Sequence, residues 1–263
     1  MNYQTIAYTR VEGVARLTLN RPERLNSFNA QMHEDVRHAL ATLAADAEAR
    51  VLVLTGAGRG FCAGQDLSDR TVAPGAARAD LGESIERHYK PLILALRHLP
   101  IPVLAAVNGV AAGAGANIAL ACDLVVAARS ASFVQAFSRI GLLPDSGGTW
   151  FLPRLVGSAR ALGLALLGEK LPATQAAEWG LIWRCVDDED FPAEVDALAA
   201  GLAAAPTLAL RHIKHSLQAA WHNTLEQQIE LERDAQRELG YSADYAEGVA
   251  AFMAKREPRF TGR

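Results

Sequence analysis

The chain has 263 residues, half of them hydrophobic (50%), with 21% charged and a formal net charge of −3. That balance excludes an intrinsically disordered chain, and the slightly negative charge without a Lys/Arg cluster argues against nucleic acid as a partner. No uninterrupted apolar run reaches the length of about 20 residues that crosses a bilayer, and no basic stretch followed by an apolar one opens the chain, so a cytoplasmic protein without membrane association is expected.

In chain order, the first third reads as strand, strand, helix, strand. In Val14 to Leu19, Ala15, Leu17 and Leu19 alternate with Arg16 and Thr18, as in a half-buried strand. Ser27 or Asn29 then caps a helix whose apolar face is Met32, Val36, Ala39, Leu40 and Leu43. Val51 to Thr55 is a continuous apolar run, expected to be a strand covered on both faces. The glycine-rich loop Gly56 to Leu67 has neither phosphate-loop nor dinucleotide spacing. Residues 71–80 read as a loop, Leu81 to Leu99 as a helix and Pro102 to Val107 as a strand. Gly113-Ala114-Gly115-Ala116-Asn117 opens a helix to about Ala121. Strands over 124–127 and 132–134 follow, then a helix over 145–168 broken by Pro153 and Gly157. A short helix, Ala173 to Trp179, and a strand, Leu181 to Val186, complete the mixed part.

From Phe191 only helix is expected, including one long helix from Thr207 to Leu239. Its stripe Leu210, Ile213, Leu217, Ala220 and Trp221 must be covered by something, with a partner subunit a natural candidate. The fold class is α/β, with residues 1–200 as the mixed core and 201–263 as a helical region.

Cys62, Cys122 and Cys185 are odd in number and widely spaced, which fits reduced, packed thiols better than disulfides or a zinc site. His212 and His215 share a helix face but bring no further ligands, so no metal is expected. Two glycine-rich segments, 60–66 and 113–117, each follow a strand. Each is able to present a backbone N–H to one oxygen, and together they would make an oxyanion hole. Equally, the glycines serve tight turns and close packing. Asp145, in the apolar stretch Gly141 to Trp150, reads either as a helix N-cap or as a carboxylate in a dry pocket that takes and returns a proton.

The segments Phe61-Cys62-Ala63-Gly64-Gln65-Asp66-Leu67, Val107 to Gly115 and Gly141-Leu142-Leu143-Pro144-Asp145-Ser146-Gly147-Gly148-Thr149 resemble the enoyl-CoA hydratase/isomerase (crotonase) superfamily. Asn20-Arg21-Pro22 near the start and Glu247 to Phe260 near the end match its termini. The resemblance implies a spiral of strand–strand–helix turns with a C-terminal helical trimerisation region, assembled as a homotrimer or dimer of trimers. It implies an acyl-CoA substrate, whose coenzyme A is part of the substrate, and no further cofactor. It assigns the oxyanion hole to the N–H groups of Ala63 and Ala114. Arg24, Leu25, Ala63, Gln65, Asp66 and Leu67 would line the CoA path, and Lys255 and Phe260 would meet CoA from a neighbouring subunit.

Hydratases of this family carry two glutamates where this chain has Asn117 and Phe137. Phe137 moves no proton and an amide only hydrogen-bonds, so the resemblance points away from hydration. It points to an isomerase with Asp145 as its acid/base and Asn117 as an accessory group, or as a residue that only ties down its helix start. The stretches Gly56 to Leu67, Glu178 to Trp183 and Arg259 to Arg263 are most similar to isomerases of ring-epoxide thioesters, which form a seven-membered oxepin and also shift a 3,4 double bond to 2,3. A pathway hydratase is an expected partner. Three alternatives share the fold: a general Δ3,Δ2-enoyl-CoA isomerase, an aryl-CoA dehalogenase with Asp145 as nucleophile, and a non-catalytic scaffold.

Overall fold

The computed structural model describes residues 3–70 and 80–263. The loop expected over 71–80 therefore lies almost wholly outside the described residues.

The strands separate into two sheets because each repeat of the chain gives one strand to each. The hairpin β1 (Ile6–Val11) and β2 (Val14–Leu19) is followed by helix α1 (Ala30–Ala44) and then by the strand pair β3 (Val51–Gly56) and β4 (Gly60–Cys62). Helix α2 (Leu81–Ser84), a π turn over Ile85–Tyr89 and α3 (Lys90–His98) lead to β5 (Val103–Val107), β6 (Val110–Ala112) and α4 (Ala114–Leu120). Next come β7 (Leu124–Ala128), β8 (Ser132–Val134), α5 (Gly148–Leu167), β9 (Lys170–Pro172), α6 (Ala173–Glu178) and β10 (Arg184–Val186). Sheet one runs β1-β2-β3-β5-β7-β10 and sheet two β4-β6-β8-β9. Apart from β1/β2 and β8/β9, which are antiparallel, every pairing is parallel. Three successive turns, β3/β4, β5/β6 and β7/β8, thus advance both sheets together, which is the expected strand–strand–helix spiral.

Sequence pattern and burial agree where periodicity is clear. Ala15, Leu17 and Leu19 point inward, and Val51 to Leu54 are buried on both faces. Asn29, not Ser27, caps α1, its side chain accepting from the Met32 N–H. Other boundaries moved. Strands β4 and β6 emerge inside the glycine-rich segments, where brevity hid them. Pro153 is accommodated within α5, and only Gly157, at φ 74° and ψ 164°, bends it. This 20-residue helix is, among the described residues, long and apolar enough on average to match a membrane span, though it is not an uninterrupted apolar run. It nevertheless carries Arg154 and Arg160 and buries Phe151, Leu152, Val156, Ala161 and Leu164 in the protein core.

The C-terminal region is all helical, as expected, but the long helix is two. Helix α7 (Phe191–Ala204) precedes α8 (Thr207–Ala219) and α9 (Leu225–Gly240), and α10 (Ala243–Met253) follows. Thr224 and Gln227 form a reciprocal capping box that starts α9. The region is held to the core by polar latches. Arg50 donates to Thr207 Oγ1 (2.7 Å) and to the carbonyls of Ala205 and Phe260. Lys214 Nζ meets Asp123 Oδ2 at 2.8 Å. Trp221 stacks on Trp150 of α5 at 4.9 Å, with the Arg154 guanidinium over Trp150. The predicted stripe is only partly covered within the chain: Trp221 stacks on Trp150 and Leu210 is half-buried, but Ile213 is 53% and Leu217 65% exposed. On α9 and α10, Ile229, Val249, Phe252 and Met253 are exposed as well.

Candidate active site

Adjacent parallel strands β4, β6 and β8 end side by side, and the predicted chemistry follows their carboxyl ends. Ala63 to Asp66 leave β4, Gly113 and Ala114 leave β6, and Gln135 and Phe137 leave β8. The glycines bring the first two segments into backbone contact. A Cβ on Gly64 (φ +88°) would lie 2.9 Å from the Ala112 carbonyl oxygen and 3.3 Å from the Ala114 nitrogen. One on Gly115 would lie 2.2 Å from the Cys62 carbonyl oxygen. Close packing and the oxyanion reading are therefore not rivals; the packing is what draws the two loops together.

Ala114 is the first residue of α4, where an amide has no intrahelical acceptor and the helix dipole favours a negative oxygen. The other expected donor is corrected. The Ala63 N–H is spent on the Leu25 carbonyl at 2.9 Å. Two residues on, Gln65 forms a parallel bridge with Phe28. Phe28 N donates to Gly64 O (2.7 Å) and Asp66 N donates to Phe28 O (2.8 Å). In such a bridge the N–H of the residue between them points the opposite way. The Gln65 amide, not that of Ala63, is thus directed away from the Phe28 segment.

The remaining CoA candidates divide. Leu25, in the left-handed region at φ 49°, is half-buried beside Ala63, and Arg24 is exposed next to it. Leu67 is 55% exposed at the end of the loop. Asp66 is corrected: it is buried, paired with Arg21 at 2.9 Å and bonded to Ser68, so it braces the loop rather than lining a path. The Ser68 hydroxyl and Arg21 hold its carboxyl below the usual range. The Gln65 side chain is likewise structural, donating to the Phe28 carbonyl and accepting from the Tyr89 hydroxyl. Lys255 and Phe260 lie in the C-terminal region, where Phe260 packs toward Gly248 and lines an apolar groove of about 530 Å³ with α8 and α10. Cys62 and Cys122 are buried and Cys185 partly so. Burial pushes the Cys62 thiol up to about 12, which suits a packed core group and not a nucleophile.

Asp145 does not cap α5. Gly147 occupies the N-cap, and the Asp145 carboxylate instead accepts from the Ser146 hydroxyl at 2.9 Å. Ser146 is itself buried and held at φ +51°. The loop is tied by its main chain: the Asp145 carbonyl accepts from Gly148 N and from Asn117 Nδ2, both at 2.8 Å. Asn117 is fully buried, and its Oδ1 accepts from Gln135 Nε2 at 2.8 Å. Both ends of the Asn117 amide are therefore occupied by protein. The residue holds the Asp145 loop, which corrects the expectation of a catalytic Asn117. Gln135 was not singled out in the sequence. Phe137, 6% exposed, sets its ring against Gly113: a Cβ there would lie 3.7 Å from it.

Gly148 has no room for a side chain, since its Cβ would lie 2.4 Å from Asn117 Nδ2. Gly148→Ala is expected to displace Asn117 and cost about 1–3 kcal/mol, the usual scale for overpacking. A urea midpoint that stays at the wild-type value would show that the contact relaxes freely.

A profile of the enoyl-CoA hydratase/isomerase family matches residues 9–263, and the chain belongs to that family. It is 59% identical over 252 residues to 1,2-epoxyphenylacetyl-CoA isomerase of Escherichia coli, covering 96% of each chain. It is 53% identical over 264 residues to a protein described as a probable enoyl-CoA hydratase in Rhodobacter capsulatus, covering the whole of both. The crystal structure of an enoyl-CoA hydratase from Polaromonas is similar at a TM-score of 0.89 and 37% identity, covering 97% of this chain and 99% of that one. The chain has an enzyme's fold and relatives, which removes the scaffold alternative.

Proposed function

We propose that this chain is an acyl-CoA isomerase that converts 1,2-epoxyphenylacetyl-CoA to the isobaric oxepin thioester and also moves a 3,4 double bond of an enoyl-CoA to the 2,3 position. The observation that carries the reading is the 59% identity to 1,2-epoxyphenylacetyl-CoA isomerase along 96% of both chains. The site supports it with the carboxylate of Asp145, on a loop tied through Asn117 to helix α4, whose first amide is that of Ala114.

In the double-bond shift, Asp145 takes a proton from C2 of the 3-enoyl thioester. The C–H electrons move through C1 onto the thioester oxygen, giving a dienolate. The N–H groups of Gln65 and Ala114 hold that oxygen, preorganised hydrogen bonds that strengthen as charge develops. Asp145 returns the proton at C4, and the electrons relax into a 2,3 double bond conjugated with the carbonyl. No atom is gained or lost, and no further cofactor is called for. In the epoxide reaction the same donors hold the thioester, and the ring opens with no change in composition.

Hydration is disfavoured. The positions where family hydratases carry glutamates hold Phe137, which has no proton to give, and Asn117, whose amide is engaged at both ends. Arg24, Leu25 and Leu67 are the CoA contacts supplied by this chain. Lys255 and Phe260 reach CoA only in a neighbour, which fits a homotrimer or dimer of trimers built through the exposed apolar faces of α8 to α10. A cytoplasmic location in phenylacetate catabolism, beside a partner hydratase, completes the reading.

The test is turnover of 1,2-epoxyphenylacetyl-CoA followed by mass and ultraviolet spectrum. An isobaric product with new conjugated absorbance is expected. No reaction there, with rapid conversion of a 3-enoyl-CoA to its 2-enoyl isomer, would move the chain to the general double-bond isomerases.

A further inference from the structure

One buried polar pair near the site has a direction built into it. The Asp145 main-chain carbonyl can only accept a hydrogen bond, so the Asn117 atom facing it must be the amide nitrogen. That turns Asn117 Oδ1 toward Gln135, and an oxygen there requires a donor, so Gln135 must present Nε2. The orientation of both amides is dictated from the Asp145 end. Gln135 is 3% exposed, Asn117 fully buried, and Gly148 closes the space around Asn117. The other end of the Gln135 amide, Oε1, is buried with no hydrogen-bond partner among the described residues. An unsatisfied buried acceptor weakens folding, and a leucine would fill similar space without it. The pair therefore does something that packing alone does not require.

Its connections say what. Asn117 sits on α4, whose first amide is Ala114, and Gln135 leaves β8 just ahead of Phe137. The strut Gln135–Asn117–Asp145 thus fixes the acid/base loop relative to the helix that carries an oxyanion donor. Proton transfer depends steeply on such placement.

We propose that Gln135 is a positioning residue for Asp145, acting through Asn117. This rests on the isomerase reading above. In Gln135→Glu, an ionised carboxylate would place an acceptor against Asn117 Oδ1; Asn117 would turn over and present oxygen to the Asp145 carbonyl, loosening the loop, which would keep only its Gly148 N–H bond there. The same carboxyl, once protonated, carries an O–H and restores the donor.

The experiment measures kcat and KM for 3-hexenoyl-CoA isomerisation by wild type, Gln135→Glu and Gln135→Leu between about pH 5 and 9. Burial raises the pKa of a carboxyl, so its titration should fall inside this window. For Gln135→Glu, kcat at the alkaline end should fall about tenfold or more, with KM changed by less than about threefold. The ratio of its kcat to that of wild type should climb as pH falls and the carboxyl protonates. Gln135→Leu should lose kcat by a ratio that does not vary with pH. Wild-type kcat in either folded variant, or a flat ratio in Gln135→Glu, overturns the relay. Should Gln135→Glu fail to fold, Gln135→Leu decides alone: lowered kcat at unchanged KM supports the relay, and wild-type kcat overturns it. A wild-type protein inert on both this thioester and the ring epoxide overturns the isomerase reading and the relay's role with it, whereas an active wild type with unaffected variants overturns the relay alone.

Discussion

Asp145→Asn should fold, bind acyl-CoA and turn over at least about a hundredfold more slowly than wild type, the usual scale for a lost general acid/base. The substitution keeps the shape of the side chain and an acceptor for the Ser146 hydroxyl. It leaves untouched the main-chain carbonyl through which Asn117 and Gly148 hold the loop. Only the ability to take and return a proton is removed. Stability and KM should therefore move little while kcat falls, the pattern of a group needed chiefly in the transition state. Stopped-flow absorbance of the conjugated product, with thermal unfolding in parallel, separates the two effects. A variant with wild-type kcat would remove Asp145 from the mechanism and leave the amides as the only groups acting on the substrate.

The largest expected loss of stability is at Lys214. Its side chain is 8% exposed, and its ammonium donates to Asp123 Oδ2 (2.8 Å), Leu96 O (3.1 Å) and Ile101 O (3.2 Å). Asp123 also accepts from Val103 N at 2.8 Å. Burial pushes the Asp123 carboxyl up and the Lys214 ammonium down, against their mutual attraction. Desolvation thus outweighs pairing for both groups, and the bridge serves mainly to place α8 on the core rather than to stabilise it outright. Removing one partner is another matter. Lys214→Met leaves a mostly buried carboxylate without its ion-pair partner, with only the field of Arg97 to offset it, and should cost about 3 kcal/mol, read as a lower urea midpoint at unchanged slope. Adding Asp123→Asn should recover much of the loss, because the Val103 N–H keeps an acceptor. A single variant within about 1 kcal/mol of wild type would mean that water solvates Asp123 in the folded chain.

Local signals in the chain were legible because they depend on neighbours in sequence. The alternation in Val14 to Leu19 and the apolar run Val51 to Thr55 follow from residues a few positions apart, and the structure places both as read, while of the two expected caps it selects Asn29. The Thr224–Gln227 capping box is equally local, and it is what divides the expected long helix. The stripe Leu210 to Trp221 correctly marked a face in need of cover, though not what covers it.

The errors share one cause. Which amide of the Ala63 to Asp66 loop is free depends on its bridge with Phe28, which turns the Asp66 N–H toward that segment and the Gln65 N–H away, and on Gly64 at φ +88°, which breaks the alternation so that Ala63 also faces inward to Leu25. Asp66 sits in a site motif, but Arg21, far back in the chain, pairs with it. Asn117 reads from sequence as an accessory amide or a tie for its helix start, whereas Gln135 and Asp145 hold its two ends. By itself, then, the sequence determined the longer elements of the spiral and the family, and it pointed to Asp145 as the candidate carboxylate. Only the tertiary structure decided which backbone donors are already paired within the chain and which polar side chains are spent, because a hydrogen-bond donor has one direction and its partner is set by packing between distant segments.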